Sequence, residues 1–351
     1  MAEDSQKKVL LIKLSSLGDI IFNIPLANSI KNSGYNVDWL VSEKGIDVLT
    51  GNPCINNLII APFGKLKKQK GLIERLKNIT EMISLIKKIR QNKYDIVIDT
   101  QGRWKSLIFT LFCGAKRRII GSDFQEFSNF GANEIVKVPA KNDASLNIVD
   151  KYLLFAKHLG ISTENAHMTL PETSSEIKEK VDNLLNFDEN KPLAVVAPTT
   201  TWETKHWDKE NWKSLIKKLS ERCNIVLTGT DKDYDYIEYI NSSLGLNLAG
   251  KTDLKMLVEI FRRADIVLSL DSGSTHLARA ARAKSIVSIF CSTPAKLYEP
   301  LGENYKSLQG NLPCQPCHKR KCPKSNNECT KMPDVSEVYD TVCNFLNQNN
   351  M

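Results

Sequence analysis

Long apolar runs are absent from the sequence, and their absence argues against a membrane-spanning protein. The stretch VLLIKL at residues 9–14 is far shorter than the roughly 20 apolar residues that a spanning helix needs. The opening MAEDSQKK also lacks the charged-then-apolar layout of a secretion signal. We therefore expect a cytoplasmic protein.

Glycine-rich phosphate motifs are missing as well. Neither G-x-G-x-x-G nor G-K-[ST] follows the first predicted strand, which excludes the usual dinucleotide and P-loop sites. The sequence shows no repeat of solenoid length and no alternation of basic and aromatic residues that would indicate a nucleic-acid groove. No nucleic-acid partner is predicted.

What is present describes an ordinary globular protein with a basic bias. The 351 residues exceed the usual size of one core and predict two domains. Lys and Arg number 48 against 40 Asp and Glu, so the net charge is +8. That balance favours anionic partners such as phosphates, acidic sugars or a membrane surface.

Short Val- and Ile-rich runs alternate with segments of helical period, which predicts the α/β class with two doubly wound parallel sheets. The apolar spacing predicts a helix over Ile73–Ile89, and the Ser- and Glu-rich stretch Ser162–Pro192 is the expected domain boundary. We predict domains at 1–170 and 171–333, with a last helix in 334–351. The predicted strands are Val9–Leu14, Val37–Val41, Asn57–Ala61, Tyr94–Asp99 and Arg118–Gly121, then Leu193–Ala197, Asn224–Thr228, Leu246–Ala249, Asp265–Leu270 and Ser285–Phe290.

The turn after Leu193–Ala197 reads TTTWETKHWD. Asp208 is predicted to cap the next helix, with Trp207 and Trp212 as a hydrophobic staple. Those roles leave Thr199, Thr200, Thr201 and Lys205 unexplained. Hydroxyl donors beside an ammonium suit a diphosphate, although a polar loop with a solvated lysine explains them too.

A second turn, DSGSTH, follows the strand Asp265–Leu270. Asp271 ends the strand, and the free amides of a helix start near Ser272 form an anion site, with Gly273 allowing close backbone approach. Simple capping by Ser272 or Ser274 is the alternative, and His276 alone would be a structural imidazole. Asp233, with Asp231 and Asp235, either caps a helix or contacts a ribose.

The stretch LSSLGDIIFNIP at residues 14–25 places Asp19 after the first strand. Pro25 is tolerated only in the first turn of a helix, so the following helix begins near Asn23 or is kinked. In the first case Asp19 has no capping role, and its carboxylate could accept a proton from a substrate hydroxyl. Helix capping by Asp19 is the alternative.

Five ordered motifs together resemble the family 9 glycosyltransferases, the lipopolysaccharide heptosyltransferases, and most closely the type that adds the first heptose. They are KLSSLGDIIFNIPLANSIK, VDWLVSE, YDIVIDTQGRWKS, TTTWETKHW and ADIVLSLDSGSTHLARA. The resemblance implies a GT-B architecture with two Rossmann-like domains facing across a cleft. It places the acceptor on the first domain and the nucleotide sugar on the second, with the last helix near Val335–Leu346 packing back on the first. Catalysis would invert the anomeric carbon without a metal.

By this resemblance Asp19 is the general base, and an ADP-heptose donor and an anionic lipid A-core acceptor at the inner membrane's cytoplasmic surface are the partners. The donor-phosphate contacts carried over are Thr200, Thr201, Lys205, Asp271, Ser272, Gly273, Ser274, Thr275 and His276. The acceptor candidates are Lys65, Lys67, Lys68, Lys70 and Lys105. A nucleotide-sugar-binding protein without transfer activity and a GT-B sugar-nucleotide epimerase are the alternative functions.

Two features depart from the first-heptose type. AGKTDL at residues 249–254 replaces its proline-lysine-methionine step near the adenine, which leaves the nucleobase open. Cys314, Cys317, Cys322 and Cys329 have the spacing C-x2-C-x4-C-x6-C, which predicts a structural Zn or Fe site or else idle thiols or a disulfide. No cofactor is expected to be required for catalysis.

Overall fold

A computed structural model describes residues 6–63, 72–187 and 190–349, without the side chains of residues 72–78. Contacts divide the chain into two compact units, Met1–Pro171 and Glu172–Met351. Each unit contains one six-stranded parallel sheet with helices, which confirms the predicted α/β class. Among the described residues, no helix is both long and apolar enough to cross a bilayer.

The first unit is built on six parallel strands in the order β3-β2-β1-β4-β5-β6. The strands are β1 (Lys8–Ile12), β2 (Asn36–Ser42), β3 (Asn57–Ala61), β4 (Ile96–Asp99), β5 (Arg117–Gly121) and β6 (Glu134–Val136). Its helices are α1 (Leu17–Phe22), α2 (Ile24–Asn32), α3 (Ile46–Leu49), α4 (Leu72–Gln91), α5 (Trp104–Phe112) and α6 (Ile148–His158).

Helices α4 and α5 cover one face of this sheet, because Ile89 of α4 and Phe109 of α5 share a core with Leu10 and Ile12 of β1. Helices α1 and α2 pack with α6. A short 3-10 helix, Ser128–Gly131, lies beside α5.

The second unit repeats this arrangement, with strands in the order β12-β11-β10-β7-β8-β9. The strands are β7 (Leu193–Ala197), β8 (Asn224–Leu227), β9 (Leu246–Asn247), β10 (Ile266–Leu270), β11 (Ile286–Phe290) and β12 (Tyr305–Gln309). The helices are α7 (Ser175–Leu184), α8 (Lys209–Ser220), α9 (Tyr234–Asn241), α10 (Leu254–Arg263), α11 (Gly273–Ala280), α12 (Ala295–Tyr298) and α13 (Val335–Asn349).

All ten predicted strands are found, and each sheet carries one further strand that the sequence analysis omits. β6 has only three residues, and β12 reads YKSLQ with a single buried position. Both are edge strands, so neither needs the continuous apolar run that marks a strand buried on both faces.

The last helix requires a correction. Its expected partner is the first domain, but the apolar stripe Val338, Val342 and Leu346 of α13 is buried in the core of the second unit with Trp212 and Leu215 of α8. The stripe has helical spacing and fills the space over β10 and β11.

The topology selects one position in each sheet for a ligand. β1 and β4 are parallel neighbours, but the strands that follow β1 in the chain lie on one side of this pair and those that follow β4 lie on the other. β7 and β10 are arranged in the same way in the second sheet. Such a switch point opens a crevice outside the carboxyl ends of the strands. Asp19 follows β1, and Lys205 and Asp271 follow β7 and β10.

Candidate active site

Asp19 lies in the first turn of α1 and does cap it. Its Oδ2 accepts hydrogen bonds from the Ser16 amide at 3.0 Å and the Ser16 hydroxyl at 2.9 Å. The prediction that a helix starting near Asn23 frees Asp19 is therefore wrong. The chain instead forms two helices that meet at Asn23, with Pro25 in the first turn of the second.

The other oxygen of Asp19 faces a polar network that reaches into the sheet. Oδ1 accepts a hydrogen bond from the Tyr152 hydroxyl of α6 at 3.3 Å. The Lys13 ammonium donates to Tyr152 Oη at 2.9 Å and to the Thr100 carbonyl at 3.0 Å. Lys13 is only 4% exposed, whereas Asp19 is half-buried. A buried lysine thus supports the carboxylate of a half-buried aspartate.

The network fixes the protonation of its members. Burial by itself raises the pKa of Asp19, but the Lys13 ammonium and the hydrogen bonds from Ser16 outweigh it and hold that pKa below its ordinary value. Burial raises the pKa of Tyr152 well above its ordinary value, and the nearby Asp19 charge adds to this. Burial lowers the pKa of Lys13, while Asp19 and Asp99 oppose that shift. Asp19 is therefore ionised and Tyr152 protonated at neutral pH.

A second loop holds the Asp19 turn in place. Gln101, which follows β4, accepts hydrogen bonds through Oε1 from the amides of Leu14 at 3.0 Å and Ser15 at 3.1 Å. Asp99 is fully buried and accepts from the amides of Gln101 at 2.9 Å and Gly102 at 3.0 Å. The turns after β1 and β4 are therefore tied together at the switch point.

Lys105 is half-buried on α5, with its ammonium 5.5 Å from the Phe63 ring centre and 5.8 Å from that of Trp104. The other acceptor candidates, Lys65, Lys67, Lys68 and Lys70, lie outside the described residues.

In the second unit Lys205 and Asp271 meet directly. Lys205 Nζ lies 2.6 Å from Asp271 Oδ2, and the two side chains are 15% and 5% exposed. The Thr293 hydroxyl, after β11, also donates to that carboxylate, and Thr200 donates through its hydroxyl to the Asp271 carbonyl at 3.3 Å. The structure thus brings Thr200, Lys205 and Asp271 together, and their contact with a donor phosphate stays a prediction.

Aromatic rings border the Lys205 ammonium, which lies 4.6 Å from the Trp202 ring centre and 5.9 Å from that of Tyr298. Thr201, by contrast, is exposed. Asp208 caps α8 through the Glu210 amide at 2.8 Å, and Trp207 and Trp212 pack edge to face at 5.0 Å, so both structural predictions for this turn are confirmed.

The start of α11 has an unusual hydroxyl. Ser272 occupies the N-cap position, yet its side chain makes no capping bond, and its buried Oγ has no hydrogen-bond partner in the described protein. Ser272, Gly273 and Ser274 are half-exposed. Capping by Ser272 is therefore not the explanation for this residue, and its orphaned hydroxyl sits where the helix amides favour an anion.

Other candidates are turned into the protein. The Thr275 hydroxyl is fully buried and forms hydrogen bonds with Ser269 Oγ at 2.7 Å and with the Leu270 carbonyl, and His276 is 4% exposed.

Asp233 caps a helix, because its carboxylate accepts hydrogen bonds from the Thr230 amide at 2.8 Å and the Thr230 hydroxyl at 2.7 Å. Its half-buried carboxylate also accepts from Thr199 at 3.4 Å, so capping does not remove it from the site.

The four clustered cysteines are free thiols in this structure, not disulfides. Burial, with the nearby thiols of Cys317, Cys322 and Cys314, raises the pKa of Cys329 to about 11. Backbone amides of Asn327 and Lys324 hold the pKa of Cys322 below its ordinary value. Within the part of the chain that the structure describes, no three His, Cys, Asp or Glu side chains stand in an arrangement that could hold a metal ion. The Zn or Fe site stays a prediction.

The structure also adds residues that sequence reasoning missed. Lys13 had a local signal, since a lysine inside an apolar strand must find partners. Tyr152 and Thr293 had none, because each reaches its partner across a long stretch of chain.

Comparisons with known proteins show which family the chain belongs to. Residues 82–327 match the model of glycosyltransferase family 9 (heptosyltransferase). The chain belongs to this family. It is therefore a glycosyltransferase, as its motifs implied.

Lipopolysaccharide heptosyltransferase 1 of Pseudomonas aeruginosa is 26% identical over 321 residues, which cover 90% of this chain and 87% of that relative. A family 9 glycosyltransferase from Veillonella parvula matches in structure with a TM-score of 0.81 at 17% identity, covering 99% of this chain and 100% of the other. The Escherichia coli heptosyltransferase WaaC with ADP gives a TM-score of 0.74 at 20% identity, covering 96% and 99%. These structures share the fold.

Proposed function

We propose that this glycosyltransferase moves heptose from ADP-heptose to the 3-deoxy-manno-octulosonic acid/heptose inner core of lipopolysaccharide, with inversion at the anomeric carbon. The observation that carries the proposal is the carboxylate of half-buried Asp19, held ionised at a switch point by a buried lysine. The Pseudomonas aeruginosa relative, named lipopolysaccharide heptosyltransferase 1, and the WaaC structure with ADP support the choice of sugar and nucleotide.

Asp19 accepts the proton of the acceptor hydroxyl. A carboxylate whose pKa lies below its ordinary value is a weak base toward a ground-state sugar hydroxyl. The proton therefore transfers late, as the new bond to the anomeric carbon makes the hydroxyl acidic. Tyr152 and Lys13 keep the carboxylate charged and oriented during this step.

The second unit binds the donor diphosphate. Lys205 offers an ammonium whose position is set by Asp271, and the start of α11 offers backbone amides and the unpartnered Ser272 hydroxyl. These groups stabilise the negative charge that develops on the departing ADP. Asp233 is placed to accept from a ribose hydroxyl while it caps its helix. No residue in this scheme requires a metal ion.

The acceptor is anionic and carried by lipid, so we place the enzyme on the cytoplasmic surface of the inner membrane. Among the residues that the structure describes, Lys105 is the candidate for contact with the acceptor, and its ammonium lies against the rings of Phe63 and Trp104.

The test combines donor binding with product analysis. Thermal shift with ADP, UDP and GDP should show the largest stabilisation for ADP, because a ligand that binds only the folded state raises its melting temperature. Incubation with ADP-heptose and a heptose-free core acceptor should add one heptose by mass spectrometry, and NMR should show the inverted anomer. Stabilisation by UDP alone would contradict the donor. Turnover of donor without acceptor would indicate an epimerase, and binding without turnover a carrier protein.

A further inference from the structure

The four clustered cysteines lie in a segment that the proposed function leaves without a role. Residues Cys314–Cys329, which we call the cysteine segment, follow β12 and run as turns and irregular chain up to the short 3-10 helix Glu328–Lys331. The segment contains four Lys and Arg against one acid, and three of these cations are consecutive in HKRK at residues 318–321. The segment therefore brings a group of positive charges to wherever it packs.

Hydrogen bonds hold the cysteine segment against the turn that follows β7. The hydroxyl of Thr204, which is only 1% exposed, lies 3.0 Å from Ser292 Oγ and donates to the Lys319 carbonyl. The His318 amide donates to the Ser292 carbonyl at 2.8 Å. The backbone directly before Arg320 is therefore fixed beside this turn.

The far end of the segment is anchored to the same turn. Asn327 Nδ2 donates to Glu203 Oε1 at 3.2 Å. The Asp208 amide donates to the carbonyl of Thr330, one residue beyond the segment, at 2.7 Å. The turn after β7 and the cysteine segment are thus joined at two places.

This packing brings Arg320 and Lys205 to one aromatic ring. Arg320 Cζ lies 5.1 Å from the ring centre of Trp202, and Lys205 Nζ lies 4.6 Å from the same centre. The two cations are therefore within about 10 Å of each other. Side chains at this separation can contact the two phosphates of one diphosphate, because each contact adds about 2.8 Å between nitrogen and phosphate oxygen.

Charge balance distinguishes Arg320 from Lys205. The Lys205 ammonium is already paired with Asp271 at 2.6 Å. Arg320 forms no ion pair with any residue that the structure describes, and Glu203 of the turn is hydrogen-bonded to Asn327 instead. The guanidinium is therefore a positive charge without a compensating acid beside the turn.

A diphosphate needs such a charge. Both of its phosphates are negative, whereas the Lys205–Asp271 pair is nearly neutral. The start of α11 adds backbone amides and roughly half a positive charge from the helix dipole. An arginine adds a full charge and a planar fork that matches phosphate oxygens. Arg320 thus supplies the positive charge that Lys205 alone does not.

We propose that Arg320 binds the diphosphate of the donor together with Lys205, and that the cysteine segment holds it in position to do so. Trp202 orders the guanidinium through a cation–π contact. The inference rests on the proposed function in one respect, since a nucleotide-sugar donor supplies the diphosphate. It does not depend on which nucleobase or sugar that donor carries.

Calorimetric titration with ADP tests the contact. We compare wild type with Arg320→Ala and with the matched control Lys324→Ala, which removes another exposed cation from the same segment. Arg320→Ala should weaken ADP binding about tenfold, because it deletes a charge-assisted contact, and Lys324→Ala should leave the Kd unchanged. Circular dichroism should show unchanged melting of both variants, because exposed substitutions cost little stability.

Two results of this titration would overturn the proposal. One is the same Kd in wild type and Arg320→Ala. The other is equal weakening in Arg320→Ala and Lys324→Ala, which would indicate the general field of the segment and not a contact.

Adenosine and pyrophosphate show which part of the nucleotide meets Arg320. Competition against ADP measures the affinity of each. Arg320→Ala should weaken pyrophosphate binding by about the same factor as ADP binding and leave adenosine binding unaltered, because adenosine carries no phosphate. A parallel loss for adenosine would mean that Arg320 only shapes the turn, and would overturn the contact.

Thr204→Val tests whether the segment positions Arg320. The substitution removes the hydroxyl that holds the Lys319 carbonyl. It should weaken ADP binding in the wild-type background and add little in the Arg320→Ala background, because both changes act on one contact. Fully additive losses would overturn the positioning role of the segment.

Heptose transfer by wild type separates this inference from the proposed function. If wild type transfers heptose but Arg320→Ala binds ADP as tightly as wild type, the inference fails alone. If wild type transfers no heptose but Arg320→Ala loses affinity for ADP, the proposed function fails and the phosphate contact stands. Should UDP bind in place of ADP, the same comparison with UDP and uridine decides the contact.

Discussion

The two units have the same strand order and yet place opposite charges at the equivalent position. After β1 of the first unit comes the carboxylate of half-buried Asp19, which buried Lys13 supports through Tyr152. After β7 of the second comes an ammonium, Lys205, supported by buried Asp271. The sheet determines where a ligand can lie, and the turn residues determine which chemistry is available there.

The supporting groups differ in how directly they act. Lys205 touches its acid at 2.6 Å, so the pair is nearly neutral until a phosphate competes for the ammonium. Lys13 reaches Asp19 through Tyr152, so Asp19 keeps an oxygen that can accept a proton. We therefore propose that proton transfer takes place on the first unit and diphosphate binding on the second.

Removing the first-unit carboxylate should have the largest effect. Asp19→Asn keeps an oxygen that can cap α1 but loses the base, and we expect the transfer rate to fall about 10²- to 10⁴-fold. Steady-state kinetics with saturating donor measures this. Ser16→Ala is the control, since it removes a capping partner and leaves the carboxylate; a similar loss there would make Asp19 a structural residue.

Removing the second-unit ammonium should act on donor affinity. Lys205→Ala deletes a charge-assisted phosphate contact and leaves Asp271 unpaired, so KM for the donor should rise about 10- to 100-fold. Lys209→Ala, an exposed lysine a few residues later, should leave it unchanged. An unaltered KM in Lys205→Ala would remove this residue from the donor site.

The indirect support of Asp19 predicts a pH effect. The pKa of Asp19 is below its ordinary value of 3.8 because the Lys13 charge offsets burial. Activity that needs ionised Asp19 should therefore persist as pH falls toward that value. Lys13→Met removes the charge, so the pKa should rise and the acid limb of kcat/KM should move to higher pH.

The matched control for the pH profile of kcat/KM is Lys31→Met, which removes a surface lysine on α2. An acid limb at the same pH in wild type and Lys13→Met, with both proteins folded by circular dichroism, would contradict the network.

The smallest effect is expected from removing the Ser272 hydroxyl, which has no hydrogen-bond partner in the described protein. Ser272→Ala removes a buried group without a hydrogen-bond partner, so the ligand-free protein should melt at the same temperature or slightly higher. Its stabilisation by ADP should shrink. Thr275→Val removes a hydroxyl that is bonded, so it should lower the ligand-free melting temperature instead. Equal ADP shifts in Ser272→Ala and wild type would show that Ser272 does not meet the nucleotide.

Sequence patterns predicted most of this architecture because buried parallel strands are continuous apolar runs bounded by turn residues. They also indicated Asp19, Lys205 and Asp271, since polar residues after such strands gather at one sheet edge. They did not reveal β12 or Tyr152. An edge strand carries no such run, and the partner of a side chain 133 residues away leaves no local signal. The expected position of α13 on the first domain came from the family resemblance; its apolar stripe lies in the core of the second unit, and such a stripe does not by itself say which sheet it covers.

The division of labour between the units is tested most directly by calorimetric titration of ADP into Asp19→Asn and Lys205→Ala side by side. We predict that Asp19→Asn binds ADP with the wild-type Kd although it transfers almost nothing, and that Lys205→Ala binds it about 10- to 100-fold more weakly. Equal weakening of ADP binding in both variants would contradict the assignment of proton transfer and diphosphate binding to separate units.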